Sequence, residues 1–381
     1  MTVLDHFAQH VYGVPPAGAT VRPSWTVLEQ GDSAAGLRRQ LRLDLTAPAG
    51  RRVRLTLLVH LPAGARPDAS LPAFCGMNFR GNHACTDDPA VLDLAEPGGL
   101  DERGEAGDPL RLAPGAAPPS RGDQARRWPV GLVTDRGWAN VTWCYLQLGP
   151  DSPELFDTGP HRLFSEHGLT ERDPDEWGAI ALWAWTLSRV LDALVAGMVP
   201  EIDPTRVIAH GHSRLGKTAL WAGACDPRFA AVISNDSGCL GAARTREVGE
   251  TPAALADRFP HWVAPNFAAV LPRWRAVFDG RADPDLPDQP DLLALIAPRP
   301  LYVASASEDL WADPEAEYTA WQQASTAWPG GAAATTGPFP RPGERRAPAG
   351  VPLGYHLRDG GHDVFPFDWQ AWLDFADRWV R

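Results

Sequence analysis

The residues best suited to chemistry lie in one short segment, Gly211-His212-Ser213-Arg214-Leu215-Gly216. The apolar residues 207–209 before it predict a strand, and the pattern of residues 215–224 after it predicts a helix. A serine on a sharp turn between a strand and a helix is typical of a nucleophile elbow, although this spacing is one residue longer than the common Gly-x-Ser-x-Gly. Glycines let the two backbones approach, and the N–H groups at the start of the helix can stabilise an oxyanion. The alternative is a structural turn in which Ser213 only caps the helix.

A serine nucleophile needs a base, and two histidines near the C-terminus are candidates. His362 lies in the glycine-rich turn 359–363, directly after the last predicted strand, whereas His356 lies inside that strand. A histidine within a strand is more often structural. We therefore predict His362 as the base, since a turn at the end of a strand can bring its imidazole over the edge of the sheet.

Two aspartates could orient that base. Asp236 follows the strand after the elbow helix, and Asp309 follows the next strand. Both would project from the carboxyl ends of strands, where open sheets bind ligands. Each could also simply cap a turn. The residues alone leave the choice of acid open.

The elements that must position these residues change character along the chain. Strand patterns at 39–45, 52–60, 72–77 and 137–145 precede a helix at 176–196, and strands and helices then alternate to the C-terminus. This order predicts an α/β fold with a mostly parallel sheet flanked by helices and long loop insertions. We expect a single domain over residues 1–381, with a β-rich part at about 20–80, an irregular loop at 84–130 and an insertion at 241–290.

Composition narrows the class of protein. Among 381 residues, 44% are hydrophobic and 16 are Trp, which excludes a largely disordered chain. A formal net charge of -12 argues against a nucleic-acid or anionic-membrane binder, because neither surface would attract an acidic protein. We expect neither partner.

Cysteine usage and the N-terminus set further expectations. The 5 Cys are scattered without a Cys-x-x-Cys pair, which resembles neither a disulfide framework nor a zinc site. No glycine-rich loop has the form of a nucleotide-binding motif. We therefore predict no cofactor and no metal. The first residues lack the apolar core of a signal peptide, so the expected location is the cytoplasm.

The motif residues together resemble a known family. Gly211-His212-Ser213-Arg214-Leu215-Gly216-Lys217, Asp236 in an Asn-Asp-Ser-Gly turn, Asp309-Leu310-Trp311 and Gly361-His362 resemble the glucuronoyl esterases of carbohydrate esterase family 15, particularly their bacterial branch. The resemblance covers about residues 70–381. It implies an α/β-hydrolase fold and a serine esterase that cleaves esters of (4-O-methyl-)glucuronic acid, with a small-molecule or oligosaccharide uronate ester as partner.

The resemblance also implies roles for further residues. Arg214 would stabilise the oxyanion through its backbone N–H and its guanidinium. Lys217 and Trp311 would contact ring hydroxyls of the uronate, and Glu250 would be a further hydroxyl contact. Family members carry the acid at the position of Asp236 or at that of Asp309.

This chain departs from the family pattern in two places. The usual residue at the first acid position is Glu, so Asp236 is shorter by one methylene. His212 stands where fungal members have a Cys that forms a disulfide, and Asp363 follows the predicted base, so that disulfide cannot form here.

Lys217 and Trp311 also stand out on their own. Lys217 is the only lysine among the 35 basic residues, and it lies four residues after Ser213, so its side chain tilts toward the start of the helix. Trp311 lies two residues after Asp309 and could form a wall against a sugar ring, or be an ordinary core or surface aromatic.

Other interpretations of these motifs remain open. The same triad would serve another carbohydrate or aryl ester hydrolase, such as an acetyl or feruloyl esterase. A non-catalytic glycan-binding relative is the alternative outside the enzymes, but it should lack an intact triad. The segment 78–83 (Asn-Phe-Arg-Gly-Asn-His) either lines the pocket or is an ordinary turn.

Overall fold

The structure is a computed structural model that describes residues 1–16, 19–48, 50, 52–94, 110, 112, 116–149, 151–153 and 172–381. The chain divides into two compact units. One comprises Met1–Pro15, Arg172–Ala184 and Ile208–Arg381, and the other comprises Pro16–Glu171 and Trp185–Val207. We call the first the catalytic unit, because it contains the predicted catalytic residues, and the second the N-terminal unit. That the chain forms a single domain stays a prediction.

The N-terminal unit is built mainly from antiparallel strands. They are β1 (Arg22–Ser33), β2 (Gly36–Thr46), β3 (Arg52–Leu61), β4 (Leu71–Asn78) and β5 (Ala139–Cys144), with the short helix α2 (Val130–Asp135) before β5. Their order is β1-β2-β3-β5-β4, and only β4 and β5 run parallel. Strands β1 to β4 lie within the expected β-rich part at about 20–80, whose standing as a separate part of the domain stays a prediction. Part of the expected irregular loop, residues 95–109, 111 and 113–115, lies outside the described residues.

A buried ion pair stabilises this unit. Arg39 in β2 donates two hydrogen bonds to the Glu201 carboxylate, at 3.0 and 2.8 Å. A guanidinium that donates two parallel N–H bonds to the two oxygens of one carboxylate forms the strongest kind of ion pair.

Two elements pass from one unit into the other along the chain. They are the helix α3 (Ala179–Val195), predicted at 176–196, and the strand β6 (Ile202–His212). The α3 pattern is apolar on almost every face, which is typical of a helix that is buried all round.

The catalytic unit has the parallel sheet that the sequence predicts. The end of β6 pairs with β7 (Ala231–Asn235), followed by β8 (Leu301–Ala306) and β10 (Leu353–Arg358), all parallel, and the two-residue strand β9 (Arg345–Arg346) adds an antiparallel edge. Every residue of β7, β8 and β10 is buried, as expected where helices cover both faces.

Helices of the catalytic unit cover this sheet. In chain order they are α1 (Val3–Phe7), α4 (Arg214–Cys225), α5 (Pro252–Arg258), α6 (Phe267–Phe278), α7 (Gln289–Ala294), α8 (Pro314–Ala324), α9 (Gly331–Ala334) and α10 (Pro366–Trp379). Helix α4 packs on β7, α8 on β8 and α10 on β10. The expected insertion at 241–290 consists largely of α5 and α6 and reaches into α7. No helix in the described part of the chain has the length and apolarity needed to cross a membrane.

The sheet of the catalytic unit places the predicted residues together. Asp236 follows β7, Asp309 lies three residues beyond β8 and His362 lies four residues beyond β10. Because these strands are parallel neighbours, their carboxyl ends meet at one edge.

Candidate active site

Ser213 lies on a strained turn between β6 and α4. Its φ of 58° and ψ of -132° fall in a region that non-glycine residues rarely adopt. Its N–H donates to the Asn235 carbonyl at 2.8 Å, and its side chain makes no capping hydrogen bond to the helix. The turn is therefore not a simple helix cap, and the strain is of the kind that concentrates at functional sites.

Glycine makes this turn sterically feasible. A Cβ at Gly211 would lie 2.0 Å from the carbonyl oxygen of Leu215, inside the first turn of α4. A Cβ at Gly216 would lie 3.0 Å from Ser234 Oγ and from Ser237 Cβ. The first contact excludes any side chain, which explains why a glycine precedes the serine by two residues.

His362 is paired with Asp309. The Nδ1 of His362 lies 2.5 Å from Oδ2 of Asp309, whose side chain is buried, while the His362 side chain is 41% exposed. Because a carboxylate only accepts, Nδ1 carries the shared proton and Nε2 is left to receive one from a nucleophile. The imidazole also contacts the ring of His212, the residue before Ser213, with ring centroids 4.4 Å apart and the two planes tilted by 39°.

Asp236 is close to this pair but is not hydrogen-bonded to it. In the described chain neither carboxylate oxygen has a hydrogen-bond partner, and Oδ2 lies 3.8 Å from His212 Nδ1. Burial raises the pKa of Asp236 well above its usual range, and the neighbouring charges of Glu317 and Asp309 raise it further, against the smaller lowering effect of Arg358. Since a protonated, buried carboxyl gives little electrostatic support to an imidazolium, the geometry favours Asp309 as the acid.

Glu317 is a buried residue of the site that the sequence did not reveal. Its Oε1 accepts from the N–H groups of Ser237 and Gly238, at 2.8 and 2.9 Å, and its Oε2 accepts from Ser305 Oγ at 2.6 Å. It thereby fixes the turn after Asp236. Its pKa is raised to about 7, because the effect of burial is larger than the opposite effect of these hydrogen bonds. In the sequence Glu317 looks like any other Glu of a helix, so no local pattern indicates that it is buried or belongs to the site.

Lys217 and Glu250 form a buried pair. The Lys217 ammonium donates to Glu250 Oε2 at 2.6 Å and to the carbonyl oxygens of Ser237 and Cys239, at 2.6 and 2.5 Å. All three of its hydrogens are therefore used by the protein. A contact between this ammonium and a sugar, which the family resemblance implies, therefore stays a prediction.

Trp311 adjoins the same pair. Its carbonyl accepts from the Glu250 N–H at 2.7 Å, and its side chain is 41% exposed. Gly249 allows this close approach, because a Cβ there would lie 2.6 Å from the Trp311 oxygen. The Arg258 guanidinium lies 5.0 Å from the centroid of the indole ring. The three residues that the family resemblance linked to the sugar are thus neighbours.

Arg214 is held by aromatic residues of the insertion. Its guanidinium carbon lies 4.9 Å from the centroid of Trp262, and Trp262 stacks on Phe259 with centroids 4.0 Å apart. A guanidinium over an aromatic face is attracted by the ring quadrupole. The insertion at 241–290 therefore supplies both the support for Arg214 and the Glu250 carboxylate.

Three of these side chains form a cluster of metal-ligand type. Ligand atoms of His212, Asp236 and His362 all lie within 4.8 Å of one another. Other contacts compete for them, since His362 Nδ1 bonds to Asp309 and His212 Nδ1 lies 2.9 Å from Asn235 Nδ2. The raised pKa of Asp236 opposes a cation further. This donor set fits an acid–base site better than a resident metal.

The segment 78–83, in the N-terminal unit, has the hydrogen bonds of a structural turn. Asn78 Oδ1 accepts from the Gly81 N–H at 2.8 Å, and Asn78 Nδ2 donates to Asn82 Oδ1 at 2.9 Å. Both asparagines are buried. The side-chain amides of Asn78 and Asn82 thus have hydrogen-bond partners within the protein and need no ligand.

Comparison with known proteins decides the family. A family model described as fungal glucuronyl esterase matches residues 171–330. The carbohydrate esterase MZ0003, from an unknown prokaryotic organism, is 35% identical over 381 residues, which cover 97% of this chain and 82% of that protein. The chain belongs to the glucuronoyl esterases of carbohydrate esterase family 15. It is a carboxylic ester hydrolase that acts on uronic acid esters, as the sequence motifs implied.

Solved structures of glucuronoyl esterases share the fold. An enzyme from Solibacter usitatus has a TM-score of 0.80 at 34% identity and covers 98% of this chain and 90% of its own. A promiscuous esterase of the family from a marine bacterial metagenome has a TM-score of 0.78 at 32% identity, with coverages of 98% and 89%. The predicted α/β-hydrolase fold is confirmed.

Glu317 predicts how the stability of this glucuronoyl esterase changes with pH. The unfolded chain releases the Glu317 proton near 4.5 and the folded protein near 7, so between these values only the folded state binds it. The free energy of unfolding should therefore fall by about 2–3 kcal/mol as pH rises from 4.5 to 7. Glu317→Gln should remove that part of the slope, as measured by urea unfolding across this range.

A matched control lies on the same helix. Glu315→Gln changes an exposed residue two positions earlier and should leave the slope as it is in the wild type. An unchanged slope in Glu317→Gln would show that Glu317 does not hold its proton in the folded state.

Proposed function

We propose that this enzyme cleaves esters of (4-O-methyl-)glucuronic acid with Ser213 as nucleophile, His362 as general base and Asp309 as the acid that orients it. The observation that carries the assignment is the 2.5 Å contact between His362 Nδ1 and Asp309 Oδ2, at the sheet edge where Ser213 occupies a strained turn. The same contact distinguishes Asp309 from Asp236.

The chemistry follows from the protonation states. His362 Nε2 takes the proton from Ser213 Oγ as that oxygen attacks the ester carbonyl carbon, and Asp309 stabilises the resulting imidazolium. The bond to the alcohol then breaks, and the imidazolium protonates the leaving oxygen. Water attacks the acyl-enzyme, His362 takes its proton, and the free uronate leaves with Ser213 restored.

Arg214 is suited to stabilise the oxyanion. Its backbone N–H directly follows the nucleophile, the position that supplies one donor in this fold. Its guanidinium rests on Trp262, which limits the freedom of a long side chain and keeps its charge near the start of α4. Donors fixed in advance lower the barrier because they need no reorganisation during the reaction.

The sugar site comprises Glu250, Lys217 and Trp311. Because the Lys217 hydrogens already have three acceptors, Glu250 is the better candidate for a direct bond to a ring hydroxyl. Lys217 would then hold the Glu250 carboxylate in a fixed position. The exposed indole of Trp311 offers an apolar face to the ring beside them. The substrate class is a small or oligosaccharide uronate ester.

Replacement of the nucleophile tests the function directly. Ser213→Ala should reduce kcat on methyl glucuronate by at least about 10³-fold, because the acyl-enzyme can no longer form. Alanine fits the turn, so the melting temperature should stay close to that of the wild type. A fluorophosphonate probe should label the wild type and not the variant. Retention of a tenth of wild-type activity would contradict the assignment.

Loss of the Glu250 carboxylate should be selective among substrates. A hydrogen bond to a charged group contributes about 1.5–3 kcal/mol, so Glu250→Gln should lower kcat/KM for methyl glucuronate about 10- to 150-fold. p-Nitrophenyl acetate has no ring hydroxyls and should change less than about threefold. Lys217→Met should show the same selectivity with a lower melting temperature, since it leaves a buried carboxylate unpaired.

Glu247 provides the control for this experiment. It lies three residues earlier in the same loop and is exposed, so Glu247→Gln should behave as the wild type on both substrates. Equal losses on both esters in Glu250→Gln would instead assign the Lys217–Glu250 pair to the stability of the fold.

A further inference from the structure

Arg358 binds the backbone on both sides of the catalytic histidine. It is the last residue of β10 and is buried. Its Nη2 donates to the carbonyl oxygens of Gly361 at 2.7 Å and of Asp363 at 3.0 Å, the residues directly before and after His362. Its Nη1 donates to the Asp359 carbonyl at 2.8 Å. One guanidinium therefore satisfies three carbonyls of the turn 359–363.

The guanidinium is itself fixed from three directions. Its Nε lies 3.1 Å from Asp368 Oδ2 in α10, and its plane lies over the Phe365 ring at 4.7 Å. The carboxyl of Asp236 lies 3.6 Å from Nη2. Asp368 in turn accepts from His356 Nε2 at 2.7 Å. Arg358 is thus connected to the core of the sheet and to the first turn of α10.

Apart from Arg358, the turn that carries His362 is held by hydrogen bonds near its two ends, which include one from Gly360 N–H to Ser307 Oγ at 3.2 Å, and by the bond between His362 and Asp309. A Cβ at Gly361 would meet no atom within 4 Å, so packing does not confine this residue, and a Cβ at Gly360, where φ is 98°, would meet only Arg358 Nη1 at 3.4 Å. The His362 side chain is 41% exposed. Other ties act near the two ends of the turn, where Glu308 N–H donates to Gly360 O at 2.9 Å and Asn235 Nδ2 donates to Asp363 O at 3.4 Å. Arg358 alone contacts both neighbours of His362 in the described chain.

We propose that Arg358 is a positioning residue, which keeps His362 in line with Ser213 and Asp309 by binding the carbonyls of Gly361 and Asp363, with Asp368 as its counter-ion. The proposal rests on the proposed function, since it assumes His362 as the base. It also explains how the turn is fixed in a chain that cannot form the disulfide of fungal relatives. A planar, forked donor can bind two carbonyls at once, whereas an ammonium on a flexible stem cannot keep this geometry.

Arg358→Met tests the proposal by separating catalysis from binding. A displacement of the base by about 1 Å can cost about 10²-fold in rate, so kcat on methyl glucuronate should fall about 10- to 100-fold while KM changes less than about threefold. Arg358→Lys keeps the charge but not the fork and should recover less than half of the lost activity. A kcat within twofold of the wild type in either folded variant would overturn the proposal.

Arg345→Met is the matched control. Arg345 also lies over a phenylalanine, Phe367 at 4.8 Å, and also pairs with an acid of α10, Asp374 at 2.9 Å. In the part of the chain that the structure describes, it makes no contact with the turn 359–363. Its loss should lower the melting temperature at most and leave kcat within twofold.

A spectroscopic measurement separates positioning from stability. The 2.5 Å bond between His362 and Asp309 should give a far-downfield proton resonance in the ¹H NMR spectrum of the wild type. Arg358→Met and Arg358→Lys should shift or broaden it, while Arg345→Met should not. An unchanged resonance in folded Arg358→Lys would overturn the proposal, even if Arg358→Met fails to fold. If Ser213→Ala retains activity, the proposed function fails instead, whatever Arg358 does.

Discussion

The proposed mechanism depends on one short hydrogen bond, from His362 Nδ1 to Asp309 Oδ2 at 2.5 Å. It fixes the tautomer of the imidazole and directs Nε2 away from the acid. Asp309 reaches the imidazole because it follows β8, the direct neighbour of the strand that carries His362. The order of strands in the parallel sheet therefore places Asp309 beside His362, and the loops after β8 and β10 bring the two side chains into contact.

Burial explains why a second aspartate beside this pair does not compete with it. Burial is the largest cause that raises the pKa of Asp236 and of Glu317, and the nearby charge of Asp309 raises both further. A cluster of this kind accepts one negative charge far more readily than three. A proton on Asp236 relieves the repulsion, and Asp309 is the carboxylate that bonds to the imidazole.

Much of this arrangement was predictable from the sequence. The elbow at Ser213 has a local signal, a strand pattern followed by glycines and a helix, and His362 lies in an equally recognisable glycine-rich turn. The choice between Asp236 and Asp309 had no such local signal, because both follow a strand and only the tertiary structure shows that Asp309 bonds to His362. Glu317 and Arg358 were missed for a related reason. A buried charged residue looks like a surface residue until its partners are known.

The sequence also singled out Lys217, Trp311 and Glu250 as candidates for binding a sugar, but not their contacts with one another. Lys217 stood out as the only lysine, yet the structure gives all its hydrogens to the protein. The spacing along α4 predicts a side chain that tilts toward the serine, but its acceptors belong to residues that lie 20 to 33 positions further along the chain. Contacts between distant segments carry no periodicity, which is why the pattern of the chain could not supply them.

The most direct measurement compares kcat/KM on methyl glucuronate for Asp309→Asn and Asp236→Asn, with melting temperatures to confirm folding. Asparagine at 309 removes the charge that orients His362, so the value should fall about 10²- to 10⁴-fold. Asparagine at 236 mimics a carboxyl that is already protonated, and the value should stay within about tenfold of the wild type. A larger loss from Asp236→Asn than from Asp309→Asn would contradict the account.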